Sequence, residues 1–204
     1  MRKEKTVTKP NDRGWRISLT GGMGCGKTSA AGFFAEAGWS VLSADILVQK
    51  ILASNDAVRR ALSSRWGVSV VDEKGQVNRD AIADLVFKDL EELNWLEGLL
   101  HPLVQDEWTR AVKEKPSLNW VIEIPLLFEK RLEKDFDFIV CITCPYSTVI
   151  TRMVHRGFSA ISIEQRSNQQ MALSEKEDRA DFVITNSGSL KFLKKQTLSL
   201  IAEL

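Results

Sequence analysis

Hydrophobic residues along the chain fall into five short runs, separated by stretches in which apolar residues recur at helical spacing. The runs are rich in β-branched residues and nearly continuous in hydrophobicity, which is typical of parallel strands covered on both faces. They lie at residues 15–20, 39–43, 119–124, 138–143 and 181–185. Their alternation with helical stretches indicates βαβ units, so we predict an α/β fold with a three-layer, doubly wound sheet of about five parallel strands.

The longest interval between these runs has mainly helical patterning. Residues 56–65, 79–87 and 90–113 carry apolar positions at helical spacing, whereas residues 68–75 read as a short extended piece and a turn. So long an excursion on one crossover predicts a helical lobe, over about residues 50–118, that covers the site. We expect a flexible polar tail over residues 1–14 and a single domain over residues 15–204.

A glycine-rich octet joins the first predicted strand to the first predicted helix. Residues 21–28, Gly-Gly-Met-Gly-Cys-Gly-Lys-Thr, match the phosphate-binding pattern G-x-x-x-x-G-K-[ST] completely. Lys27 is placed to give a charge to the β- and γ-phosphates, and Thr28 to give a hydroxyl ligand to Mg²⁺. The pattern therefore predicts that the chain binds a nucleoside triphosphate. The expected nucleotide contacts are Gly22, Met23, Gly24, Cys25, Gly26, Lys27, Thr28 and Ser29.

Carboxylates follow the second and third predicted strands, where ligands bind in sheets of this kind. Asp45 comes after the second run, and its position fits a helix N-cap and a functional acid equally well; the two roles can coexist. Glu123 lies near the end of the third run, where phosphate-loop proteins place an acid that holds Mg²⁺ or its water. Pro125-Leu-Leu-Phe-Glu129 adds another carboxylate at the rim.

Basic and amide side chains follow the fourth and fifth runs. Arg152 and Arg156 are four residues apart on one predicted helix, an arrangement that can clamp phosphate oxygens. A solvated basic face accounts for two such arginines equally well. Asn186 and Gly188 lie in a turn that can contact an adenine edge through amide and backbone groups.

Charge and composition limit the kinds of partner that we expect for this protein. With 28 basic and 27 acidic residues the formal charge is +1, which argues against a nucleic-acid or membrane surface built on net charge. No apolar run approaches the ~20 residues that span a bilayer. The first ten residues lack the apolar centre of a signal peptide, so we expect a cytoplasmic protein.

The three cysteines do not form a disulfide framework. Cys141 and Cys144 make a C-x-x-C spacing, but no second pair completes a zinc site, and the spacing falls at a predicted strand rather than at a helix N-terminus. We predict no metal or redox function for this pair. Cys25, inside the glycine loop, is a potential thiol target without a catalytic role.

Taken together, these residues resemble the dephospho-coenzyme A kinase family, from about Trp15 to Leu193. The glycine loop alone is shared by many kinases and ATPases, whereas the His-Pro, Pro-Leu-Leu-Phe-Glu and Ala-Asp-Phe-Val-Ile segments together are far more specific. The matching landmarks, in chain order, are Leu19 to Lys27, Ala44-Asp45, Gly75-x-x-x-Arg79, Trp95-Leu, Leu100-His-Pro102, Pro125-Leu-Leu-Phe-Glu129, Arg152-x-x-x-Arg156, Arg166-x-x-x-Gln170-Met171, Glu175-Lys176 and residues 180–189.

The resemblance implies transfer of the ATP γ-phosphoryl group to the ribose 3′-hydroxyl of dephospho-coenzyme A, with Mg²⁺. It implies catalytic roles for Asp45, Lys27 and Arg156, a coenzyme A lobe over about residues 50–118 and a lid over about 150–180. Ser43 stands where the family usually has a first Asp, and Cys25 where it favours Ser. The implied substrate contacts are Thr20, Asp45, Arg79, His101, Pro125, Leu126 and Glu129, and the implied nucleotide contacts include Arg152, Asn186 and Gly188.

Three other functions are compatible with a glycine loop. Another nucleoside monophosphate or small-molecule kinase of the same fold is the nearest alternative. A GTPase would use Asp72-x-x-Gly75, but the chain has no Asn-Lys-x-Asp guanine signature. A non-catalytic nucleotide-binding protein would bind ATP without acceptor-dependent turnover. We expect no nucleic-acid or membrane partner, and a monomer or weak homo-oligomer.

Overall fold

The computed structural model describes Pro10 and residues 12–204, and its centre is a parallel five-stranded sheet. The strands are ordered β2-β3-β1-β4-β5, and helices connect and flank them, so the predicted doubly wound α/β sheet is confirmed. The strands are β1 (Arg16–Gly21), β2 (Ser40–Ser43), β3 (Trp120–Glu123), β4 (Phe138–Thr143) and β5 (Phe182–Thr185).

The described residues separate into two compact units. One contains the sheet and comprises the described chain up to Ser43 together with Glu114–Leu204; the other is the helical stretch Ala44–Lys113. The helices are α1 (Lys27–Glu36), α2 (Ala44–Ser54), α3 (Asp56–Trp66), α4 (Arg79–Val86), α5 (Leu90–Glu114), α6 (Tyr146–His155), α7 (Ala160–Asn168), α8 (Leu173–Arg179) and α9 (Leu190–Glu203).

Burial within the sheet follows the hydrophobic runs. Ile17 and Leu19 of β1 and Val140 of β4 are completely buried, because these central strands are covered on both faces. The edge strand β5 is less buried, and Val183 is exposed to 40%. The continuous hydrophobicity of the central strands is therefore a consequence of the two helical layers.

The strand register aligns the ends that matter for function. Glu123, the last residue of β3, pairs in register with Leu19 of β1 and with Ser43 of β2. Thr20 pairs in register with Cys141 of β4. The carboxyl ends of these parallel strands thus lie at one edge, which is where a doubly wound sheet binds its ligands.

The helical unit has its own local order. Asn55 and Asn78 cap α3 and α4 by accepting backbone N–H groups, as side-chain oxygens at helix N-caps do. The predicted extended piece is partly helical: Gly67–Ser69 is a 3₁₀ turn, and Val71 then pairs with Val77 in an antiparallel bridge.

The Asp72-x-x-Gly75 sequence, which mimics a GTPase motif, forms the turn at this bridge. The Asp72 carboxylate accepts the backbone N–H groups of Lys74 and Gln76 at 2.9 and 2.7 Å. Asp72 therefore has a local structural role, which removes the main support for a GTPase.

The predicted tail falls mostly on residues 1–9 and 11, which lie outside the described residues. Arg13, by contrast, forms a two-pronged ion pair with Asp137, at 2.7 and 2.6 Å, and Gly14 donates its N–H to the carbonyl of Pro116. In the described part of the chain, no helix combines the length and apolar character needed to cross a membrane.

Candidate active site

The phosphate loop connects β1 to α1 and requires glycine at two points. Gly21 and Gly26 have φ angles of 133° and 97°, in the region that favours glycine. A Cβ at Gly26 would lie 2.3 Å from the amide nitrogen of Asn186, and one at Gly21 would lie 2.1 Å from the carbonyl oxygen of Ile142. The loop can therefore pass close to β4 and to the turn after β5 only because these positions lack side chains.

Two predicted nucleotide residues hold the loop from outside. The Asn186 amide donates to the carbonyl of Cys25 at 2.8 Å. Arg152, on α6, donates to the carbonyls of Gly24 and Asn186 at 3.2 and 3.1 Å. Arg152, Asn186 and the loop thus form one hydrogen-bonded assembly, although Cys25 and Asn186 are 161 residues apart in sequence.

Lys27 is the first residue of α1 and has only 8% of its surface exposed. Its ammonium donates to the carbonyls of Gly21 and Gly22 at 3.1 and 2.9 Å. These bonds hold the charge against the loop at the N-terminus of α1, where a helix favours anions. The arrangement is suited to phosphate oxygens.

Thr28 and Glu123 are brought together at the end of β3. The Thr28 hydroxyl lies 3.0 and 3.2 Å from the two carboxylate oxygens of Glu123, which is 4% exposed. Hydroxyl and carboxylate oxygens are the hard ligands that Mg²⁺ takes, usually with substrate phosphates and waters completing its coordination. Within Pro10 and residues 12–204, no group of three or more His, Cys, Asp or Glu side chains could hold a metal alone. Thr28 and Glu123 therefore offer Mg²⁺ two oxygen-bearing side chains, and a bound phosphate could supply further ligands.

The segment after β3 is fixed by a lysine to which sequence reasoning gave no role. Lys176, on α8, is completely buried and donates to the carbonyl of Pro125 at 2.7 Å. It also pairs with Glu129 at 2.8 Å, and the same carboxylate oxygen accepts the N–H of Met171. Thr20 donates its hydroxyl to the Pro125 carbonyl at 3.3 Å. The only sequence signal for the role of Lys176 is its presence among the residues that match the family.

Other predicted residues of the sheet unit are characterised by their burial and their place in the fold. Leu126 is half-buried in the turn after β3. Gly188 is exposed in the turn between β5 and α9. Met23 packs against the core, and Ser29 lies half-buried in α1. The individual roles of these residues stay predictions.

The two predicted arginines on α6 differ in environment. Arg152 is half-buried and bound to the loop, whereas Arg156 is exposed at the C-terminal cap of the helix. The side chain of Arg156 makes no hydrogen bond or ion pair with the rest of the described chain. Arg152 contacts the loop directly, and the joint contact of Arg152 and Arg156 with phosphate stays a prediction.

The remaining predicted residues belong to the helical unit. Helix α2 begins at Ala44, so Asp45 lies exposed inside its first turn and is not the N-cap. The interpretation of Asp45 as an N-cap was therefore wrong. A negative charge there still interacts favourably with the helix dipole. Arg79 is the exposed first residue of α4, and His101 lies half-buried in α5 next to Pro102.

Comparison with known proteins identifies the family. A sequence model of dephospho-CoA kinase matches residues 15–191. The chain belongs to the dephospho-CoA kinase family. The resemblance seen in the sequence is thereby confirmed.

Individual relatives and solved structures align over nearly the whole chain. A dephospho-CoA kinase from Aquifex aeolicus is 36% identical over 190 residues, covering 93% of this chain and 97% of that protein. The crystal structure of a protein from Thermus thermophilus is 31% identical, with a TM-score of 0.79, and covers 94% of this chain and 98% of its own. A dephospho-CoA kinase from Campylobacter jejuni shares the fold at 23% identity, with a TM-score of 0.65 and 92% and 96% coverage.

Proposed function

We propose that this dephospho-CoA kinase family member transfers the γ-phosphoryl group of ATP to the ribose 3′-hydroxyl of dephospho-coenzyme A. The products are coenzyme A and ADP, and the reaction is the final step of coenzyme A synthesis. The observation that carries the proposal is the phosphate loop with Lys27 at its mouth and the Thr28–Glu123 pair beside it. Transfer of a phosphoryl group asks the protein mainly for such positioned charges.

On the ATP side, Lys27 stabilises the negative charge that develops on the transferring group, while the loop and Arg152 fix the phosphates. Thr28 and Glu123 would hold Mg²⁺, which when bound neutralises phosphate charge. Arg156 is assigned to the same charge from a lid segment. Its exposed position at the end of α6 leaves the guanidinium available for a contact formed on closure.

On the acceptor side, Asp45 is the proposed acceptor of the 3′-hydroxyl proton. It follows β2 after one residue, and β2 ends in register with Glu123. Its exposure in the first turn of α2 leaves the carboxylate available to a substrate. In this proposal the Asp45 carboxylate is the base that accepts the proton of the attacking hydroxyl, which is the group that general-base catalysis requires.

The coenzyme A part is assigned to the helical unit and to the segment Pro125–Glu129. Arg79 and His101 are the proposed contacts in the helical unit, and Thr20, Leu126 and Glu129 those near the sheet. Lys176 supports this assignment because it holds the Pro125 carbonyl and the Glu129 carboxylate in fixed positions. A fixed segment reduces the ordering that substrate binding would otherwise require.

The test is ADP release from ATP and Mg²⁺ with and without dephospho-coenzyme A, together with identification of the 3′-phosphorylated product. We expect turnover that depends on the acceptor and a product phosphorylated at the ribose. A panel of nucleoside monophosphates and small alcohols serves as the control. Faster turnover with one of these would favour another small-molecule kinase, and ATP binding without any acceptor-dependent turnover would indicate a non-catalytic protein.

A further inference from the structure

Two cysteines from distant parts of the chain meet beneath the phosphate loop. The Cys144 thiol donates to the sulfur of Cys25, and the two Sγ atoms are 3.5 Å apart. Cys25 is a loop residue, whereas Cys144 directly follows β4. Sequence reasoning paired Cys144 with Cys141 instead, because only the fold brings positions 25 and 144 together.

The neighbouring cysteine has a different environment. Burial raises the pKa of the Cys141 thiol to about 12, which keeps it protonated. The hydrogen bond from Cys144, opposed by burial and assisted by the charge of Lys27, lowers the pKa of the Cys25 thiol below its usual value. Cys25 is therefore the thiol of the pair that deprotonates more readily, and the thiolate is the nucleophile in thiol oxidation.

We propose that Cys25 and Cys144 are a modification site at which a hydroperoxide forms a reversible disulfide that blocks the phosphate loop. The Cys25 thiolate attacks hydrogen peroxide, giving a sulfenic acid and hydroxide, which takes up a proton to become water. The Cys144 thiol then attacks the sulfenic sulfur, and its proton leaves with the hydroxyl group as a second water. Two thiols lose two electrons, and one peroxide gains them.

The cross-link changes the loop because the sulfur atoms must approach. A disulfide bond is about 2.05 Å long, so the separation of 3.5 Å has to shorten by roughly 1.5 Å. The carbonyls of Gly24 and Cys25 are held by Arg152 and Asn186, so movement at Cys25 strains the contacts that shape the loop. A displacement near 1 Å at a catalytic centre can cost about a hundredfold in rate.

Burial makes the reaction conditional on opening of the loop. The Cys25 side chain is fully buried and Cys144 is 5% exposed, so peroxide reaches them during local opening. A nucleotide that binds the closed loop suppresses such opening by mass action. ATP with Mg²⁺ is therefore expected to slow the cross-linking, and the modification acts on enzyme without nucleotide.

The experiment treats reduced full-length enzyme with hydrogen peroxide, with and without ATP and Mg²⁺, and then blocks free thiols. Non-reducing peptide mapping should find Cys25 joined to Cys144, in a product lighter by two hydrogen atoms. Acceptor-dependent turnover should fall at least about tenfold and recover with dithiothreitol. The mapping does not require turnover, so it stands even if the activity proposed above fails; only the inhibition rests on that activity.

Two variants make the outcome decisive. Cys144→Ala cannot form the cross-link and also loses the hydrogen bond that lowers the pKa of the Cys25 thiol, so peroxide should inactivate it more slowly than the unaltered enzyme; Cys141→Ala, a buried control from β4, should behave like the unaltered enzyme. Inactivation of Cys144→Ala at the same rate, with the same recovery in dithiothreitol, would assign the effect to oxidation of a single thiol and overturn the proposal. Mapping of the bond to another pair, or full turnover in the cross-linked enzyme, would overturn it as well.

Discussion

Replacement of Lys176 by Met tests whether one buried ammonium positions the acceptor segment. Methionine keeps a long apolar body but removes the bonds to the Pro125 carbonyl, at 2.7 Å, and to the Glu129 carboxylate, at 2.8 Å. Glu129 would then retain the N–H of Met171 as its partner among the described residues. A carboxylate whose side chain is 18% exposed would be left without its cation.

The structure sets the size of the effect. Breaking a buried ion pair by removing one partner costs about 3–5 kcal/mol, because the remaining charge stays desolvated. Lys176 is completely buried but Glu129 retains some exposure, so we expect a loss near the lower value, about 3 kcal/mol. For a domain with about 5–15 kcal/mol of stability, such a loss is easily measured.

The assay is urea unfolding of the single variant and of Lys176→Met/Glu129→Leu. Removal of both charges should restore most of the stability, because an apolar pair of similar volume replaces a buried ion pair at little cost. Lys195→Met, an exposed lysine on α9, is the control and should change stability by less than about 0.5 kcal/mol.

Kinetics separate positioning from stability. At a temperature where Lys176→Met remains folded, the KM for dephospho-coenzyme A should rise more than the KM for ATP, since the segment it holds is the proposed acceptor contact. A stability loss below about 1 kcal/mol would refute the energetic reasoning. A double variant as unstable as Lys176→Met, or equal changes in the two KM values, would refute the pairing or the positioning role.

Three further substitutions test individual roles. Lys27→Ala should lower turnover by about 10²-fold or more, on the order of 3 kcal/mol of transition-state stabilisation, measured as ADP release. Arg156→Ala should lower kcat more than it weakens ATP binding, measured by comparing turnover with ATP affinity, because its contact strengthens as charge develops. Asp45→Asn should leave thermal melting and ATP affinity nearly unchanged while product formation falls about 10²-fold or more, since it removes a proton acceptor and only a small helix-dipole interaction.

Each of these variants has an outcome that contradicts it. Near-normal ADP release from Lys27→Ala would remove that lysine from the site. Equal losses of ATP affinity and catalytic efficiency in Arg156→Ala, with normal turnover at saturation, would assign it to ground-state binding. A stable, ATP-binding Asp45→Asn enzyme that forms coenzyme A normally would leave Asp45 with its helix position alone.

The features that could be predicted from the sequence are those determined by residues that are adjacent or close together in the chain. The strand around Ile17 is nearly continuous in hydrophobicity, and the octet ending at Thr28 is a contiguous motif, so the sheet and the loop were both predictable. The placement of Asp45 inside α2 was missed because the exact first residue of a helix is difficult to assign from sequence.

Long-range pairs required the fold. Lys176 is a charged residue in a short helix, a pattern that normally indicates a solvated face, and only the packing of α8 buries it. Cys25 and Cys144 are 119 residues apart, and nothing in either local sequence predicts their contact. Three-dimensional proximity of this kind leaves no periodicity that a sequence pattern can display.

The hydrogen-bonded assembly of Arg152, Asn186 and the phosphate loop has a consequence for ligand binding. Arg152 reaches both the phosphate loop and the turn after β5, and Asn186 belongs to that turn while also holding the loop. Because the loop and the turn share these hydrogen bonds, a ligand that fixes the loop would also restrict the turn. A ligand that contacts both would therefore lose conformational entropy for the pair only once. By linkage, an adenine bound at the nucleotide contacts predicted in that turn and phosphates bound at the loop would strengthen each other's binding by the same factor.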